Sequence, residues 1–277
     1  MPVDVVGDSK SVNVHELSIQ PPKDVKKNFI VEALGEEKIN EMKKAVYDES
    51  ADFTDRYLSA ASLILLGELK KEDLPGYPET IDWDYSLMAE WQHITRDKES
   101  IDYISLGNYF IALDLFKSGE NIQHYTNTQA QEENYKLLRK GVDSPPSLVK
   151  GLVLTAMAIA FPQYFKNEDQ HWIEQIKNNL ETKLSGAPNI NRKIESAVAY
   201  RLMFPEDEVW RSVIEESKKR ALTNLRALGN LQGEAEEIIF LRLLTADKVE
   251  VTDHGLIVED NKIEDEQEKA LPERRKY

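Results

Sequence analysis

The chain has no cysteine, which excludes disulfides, thiolate metal sites and cysteine nucleophiles. It also lacks a long hydrophobic run. The longest, "LVLTAMAIAF" at 152–161, is about half of the ~20 residues a membrane helix needs, so no membrane association is expected. The N-terminal stretch "MPVDVVGDSKSVNVHELS" carries acids and no apolar segment of the secretory kind, and a cytoplasmic location is the expectation. Basic residues are scarce: 35 Lys and Arg stand against 50 Asp and Glu, a net charge of −15. Neutralising phosphates requires a basic surface, so nucleic acid is not an expected partner.

Catalytic signatures are equally scarce. There is no Gly-x-Ser-x-Gly elbow, and the five histidines (His15, His93, His124, His171, His254) stand in no triad context. The glycines of "LGNLQGEAEE" at 228–237 have no preceding strand and no following Lys-Ser or Lys-Thr, so they do not form a phosphate loop. No catalytic residue and no cofactor are predicted.

What is present is a soluble globular composition, 277 residues with 41% apolar and 31% charged side chains, enough for a substantial core. The charge is uneven: residues 51–143 hold 17 acids against 9 bases, whereas 190–228 hold 8 bases against 6 acids. Such a dipolar surface orients an approaching partner.

Residues 1–22 read as an extended arm ending in "QPPK", and 23–50 as polar capping helices broken at Gly35. Five strongly apolar helical segments then begin near Ala51, Glu99, Pro145, Asn189 and Asn230, 48, 46, 44 and 41 residues apart. Between them lie amphipathic helices. One places Trp83, Leu87, Met88, Trp91 and Ile94 on a single face; another does so with Trp172, Ile173, Ile176, Leu180 and Leu184; a third with Trp210, Val213, Ile214, Ala221 and Leu225. These are i, i+3, i+4, i+7 spacings. The corners "DLPGYPETIDW", "AFPQYFKNEDQHW" and "MFPEDEVW" share a proline, acids and a tryptophan. The unit at 99–144 has Gly119 in place of the proline and no tryptophan.

Paired helices repeating at ~41–48 residues resemble HEAT or armadillo repeats, over roughly residues 51–246. The resemblance implies an all-α fold, an α-solenoid-like stack of helical hairpins with a curved recognition surface; it supplies no catalytic residues. After the repeats, 247–258 alternates Val249 and Val251 before Asp253-His254-Gly255 and reads as a small β-hairpin. The charged stretch 259–277 reads as a flexible tail.

The expected function is a non-enzymatic scaffold or adaptor that binds another protein. The basic run Lys218, Lys219 and Arg220, with Arg211 and Arg226, is its candidate docking site. Two alternatives belong to other classes. A pair of Glu-x-x-His motifs, Glu90/His93 and Glu168/His171, is what a ferritin-like di-metal carboxylate site uses. The acidic half at 51–143 is suited to mimicking nucleic acid in the site of a basic protein. The triplet Glu206-Asp207-Glu208 reads as a helix start stabilised by the dipole, with Pro205 at the first helical position and Trp210 anchoring the corner in the core. On that reading Trp210 matters for stability and Asp207 matters little.

Overall fold

The computed structural model describes residues 28–75, 93–94, 96, 101–116, 128–143, 150–187, 189–227, 229–252 and 255–260. The arm at 1–22, the helix carrying Trp83 and the tail beyond 260 lie outside the described residues. The chain is mostly helical, with one small antiparallel sheet. No helix among the described residues is long and apolar enough to cross a membrane.

Ten α-helices are described: α1 (Phe29–Tyr47), α2 (Phe53–Leu65), α3 (Tyr103–Phe116), α4 (Thr128–Asp143), α5 (Lys150–Ala160), α6 (Pro162–Phe165), α7 (Gln170–Gly186), α8 (Ile190–Met203), α9 (Ile214–Ala227) and α10 (Leu231–Thr245). Their starts are encoded locally. Asn28, Asp52, Asp169, Asn189 and Asn230 each cap a helix by accepting a hydrogen bond from a first-turn backbone N–H. The expected break at Gly35 is a kink inside α1, where φ of 78° suits glycine.

The five apolar segments are α2, α3, α5, α8 and α10, and they form the core. α3 is buried continuously from Leu106 to Leu115 and α5 from Gly151 to Ile159. They run parallel. Ser62 of α2 donates to the Ala235 carbonyl of α10 at 2.9 Å, and one level on, Arg242 of α10 donates to the Leu65 carbonyl of α2 at 2.9 Å. Asn108 and Glu236, each the sixth residue of its helix, join α3 to α10. Close approach of α5 to α8 depends on Gly151, where an added Cβ would lie 2.8 Å from the Glu195 Cβ and 2.9 Å from the Glu195 backbone.

The packing order of the buried helices is cyclic. α2 packs on α3, α3 on α5, α5 on α8, α8 on α10, and α10 back on α2. In an open stack the first and last units do not touch; here they lie along each other, and the buried helices make a closed cycle. The amphipathic helices sit outside it, α4 against α3 and α5, α7 against α8, and α9 against α8 and α10. α1 takes the remaining outer position, against α2, α9 and α10.

The hairpin is where it was expected, with β1 (Lys248–Thr252) antiparallel to β2 (Gly255–Glu259). It leaves the C-terminal end of α10, and β2 packs on α3, which is not a ring neighbour of α10. The hairpin therefore crosses the C-terminal end of the ring, with Leu256 buried beneath it.

Candidate functional site

At the opposite end, where the buried helices begin, a polar cluster lies between four of them. Asn108, 2% exposed, donates from Nδ2 to Glu236 Oε1 at 2.6 Å, and Gln232 donates from Nε2 to the same oxygen at 3.1 Å. Since α3 and α10 are not adjacent in the ring, the Asn108–Glu236 bond spans its interior. Arg192 Nη1 reaches both oxygens of Glu195, at 3.1 and 2.9 Å, from one turn earlier on α8.

Burial dominates the electrostatics here. It pushes the Glu195 carboxyl up to about 7, against the opposing charge of Arg192. It also raises the Glu236 carboxyl; the two amide hydrogen bonds oppose the shift and the charge of Asp102 adds to it. Lys183, near the end of α7, is lowered by burial and by the charge of Lys150. Carboxyls and an amine perturbed by desolvation in one place are a mark of functional sites. The arrangement can hold or release a proton near neutrality at Glu195 and offers Glu236 as a fixed acceptor.

Glu195 and Glu236 were not singled out from the sequence. A signal existed: each lies six residues after the capping asparagine, Asn189 or Asn230, in helices buried nearly all round. An acid inside such a helix requires a reason, which the spacing alone does not supply.

Of the Glu-x-x-His pair, only His93, Glu168 and His171 lie among the described residues. Glu168 precedes the cap Asp169 and so is not in the first turn of α7; it accepts from Tyr135 Oη at 2.7 Å and Arg139 Nε at 3.1 Å. Exposed His171 instead meets Gln175, at 2.9 Å. His93 is exposed, and Glu90 lies outside the described residues. Among the described residues no three His, Cys, Asp or Glu side chains are grouped to hold a metal ion.

The basic run faces solvent, largely paired with acids of its own surface. Arg211 pairs with Glu208 at 2.9 Å, Lys218 with Glu215 at 3.1 Å and Arg220 with Glu216 at 3.7 Å. Lys219 is exposed, and the side chain of Arg226 lies outside the described residues.

The corner at Pro205 differs from expectation. Pro205 sits in the turn, and Asp207 caps a 3-10 segment at Glu208–Val213. Asp207 is a hub: it accepts from Val209 N at 3.2 Å and Tyr200 Oη at 2.7 Å, and it pairs with Lys177 at 2.8 Å. Lys177 and these hydrogen bonds hold its carboxyl down to about 2. Trp172 and Trp210 do share a station, three residues past the caps Asp169 and Asp207, and both are buried.

The chain matches no family profile, no curated protein and no solved structure.

Proposed function

We propose that this protein is a non-catalytic scaffold built of HEAT-like helical repeats closed into a ring, and that it binds a basic protein partner in the cytoplasm. The observation that supports this reading is the distribution of charge. The acid surplus falls on 51–143, whereas most cations of the basic run are matched by acids within one turn. A field of that sign steers a cationic surface toward the chain and repels nucleic acid. Occupying the nucleic-acid site of a basic protein is one form this binding takes.

Capture from lysate at low and high salt, read by mass spectrometry, tests the proposal. The expected result is one stoichiometric basic protein, released by raised ionic strength because exposed charge pairs are screened within about 10 Å at 0.1 M. An acidic partner, or binding indifferent to salt, overturns it.

A further inference from the structure

Glu236 has a feature that the fold does not require. Two amides, from Asn108 of α3 and Gln232 of its own helix, converge on Oε1, while Oε2 accepts no hydrogen bond from the described residues. Among them no lysine or arginine lies within ion-pair distance. Arg192, which acts on Glu236 electrostatically, is bound to both oxygens of Glu195. The other charges coupled to Glu236, Asp102 and Glu195, have the same sign. Lys183 acts electrostatically on Glu195, and Lys150 on Lys183.

Buried carboxylates are normally paired, because an unpaired one loses hydration without compensation. Glu236 is half-buried and oriented by two amides, and no lysine or arginine among the described residues forms an ion pair with it. A glutamate at the equivalent station of α8, Glu195, carries its own arginine. The difference marks Glu236 as an acceptor prepared for a cation supplied from outside.

Resting on the reading of the protein as a binder of a basic partner, we infer that Glu236 Oε2 receives a lysine ammonium or arginine guanidinium of that partner at the N-terminal end of the buried helices. The ligand chemistry is a cationic N–H donor. Asn108 and Gln232 act as positioning residues, fixing Oε1 so that Oε2 faces the incoming group. Charge-assisted bonds of this kind change affinity by about tenfold or more.

The test titrates Nα-acetyl-arginine methyl ester and Nα-acetyl-lysine methyl ester into the full chain, with uncharged Nα-acetyl-citrulline methyl ester as control, followed by NMR of the Asn108 and Gln232 side-chain amides. The expected result is saturable shifts of both amide pairs with the cationic esters and none with citrulline. In Glu236→Gln affinity falls about tenfold or more, while Glu259→Gln, exposed in the hairpin, keeps binding. Circular dichroism and the melting temperature confirm that both variants are folded. Absence of shifts, or equal binding by Glu236→Gln, overturns the inference. Should Glu236→Gln still capture the basic partner with unchanged affinity, this inference fails while the scaffold reading stands. Should the esters bind at Glu236 and no basic partner be captured, the scaffold reading fails instead.

Discussion

Arg201 and Arg242 stand at the same station of consecutive buried helices, and each caps the C-terminus of the next helix around the ring. Arg201 donates from Nη1 to the carbonyls of Leu243 and Leu244, at 2.9 and 3.0 Å, and from Nη2 to that of Asp247 at 3.2 Å. Arg242 donates to the Leu65 carbonyl and pairs with Asp260 at 2.7 Å. The last carbonyls of a helix have no partner within it, and a cation there also meets the negative end of the dipole. The two arginines thus join α8 to α10, α10 to α2, and α10 to the residue that follows the hairpin. Arg201→Ala leaves three carbonyls without this donor and is expected to lower stability by about 3 kcal/mol, measured by urea denaturation. A loss below ~1 kcal/mol would show that water replaces the guanidinium.

Lys38 and Glu234 hold α1 in the ring. Glu234 is fully buried and its Oε2 lies 2.7 Å from Lys38 Nζ. Removing the lysine strands a carboxylate in the core, so Lys38→Ala is expected to cost about 3–5 kcal/mol. The double variant Lys38→Met with Glu234→Leu should recover most of that loss, because an apolar pair needs no counter-charge. Equal losses in the single and double variants would show that α1 is held by packing alone.

Trp210 is 7% exposed, with the Arg201 guanidinium 4.4 Å from its ring centroid. Trp210→Ala is expected to cost about 3–5 kcal/mol, from the cavity and from the arginine it supports. Thermal melts of this variant beside Val209→Ala, at an exposed neighbouring position, separate core loss from a general effect on the corner.

Asp207 makes stability depend on acid. Its folded-state carboxyl lies at about 2, against an ordinary value of 3.8. A depressed carboxylate contributes stability that is present above the unfolded value and is lost as pH falls through the folded one. Unfolding curves from pH 5 to 2 should therefore show a decline that Asp207→Asn flattens and Glu206→Gln does not. Identical acid limbs in all three proteins would remove Asp207 from that role.

Glu195 acts in the opposite sense. Its folded-state carboxyl is raised from 4.5 to about 7, so the folded chain binds the proton more tightly. The contribution is complete below about 4.5 and is lost as pH rises through about 7. Glu195→Gln should be more stable than the parent at pH 8 by roughly 2–3 kcal/mol and equal to it near pH 4. Parallel pH profiles would show that Arg192 keeps the carboxylate ionised throughout.

Much of this architecture was legible because it is local. A helix forms where apolar residues recur at its period and an Asn or Asp caps its first turn, so α2, α3, α5, α8, α10 and the hairpin could be read from segments of ten to twenty residues. The kink at Gly35 and the buried stations of Trp172 and Trp210 followed from the same short-range rules. Asp207 was misjudged because its partners Tyr200 and Lys177 come from two other helices, which no spacing rule brings to the corner.

What only the tertiary structure decided is closure. Whether hairpins stack into an open coil or return on themselves depends on the angle added at each contact, and that angle is set by details such as the missing side chain of Gly151 against Glu195. Closure brings α2 against α10, puts Arg242 on the Leu65 carbonyl, and sets Asn108 beside Glu236 from 128 positions away. Composition and periodicity determined the helices, their buried faces and the acidity of the surface. The position of Glu236, clamped by two amides from α3 and α10, depends on three-dimensional neighbours, because pairing across the ring leaves no periodic trace in the chain.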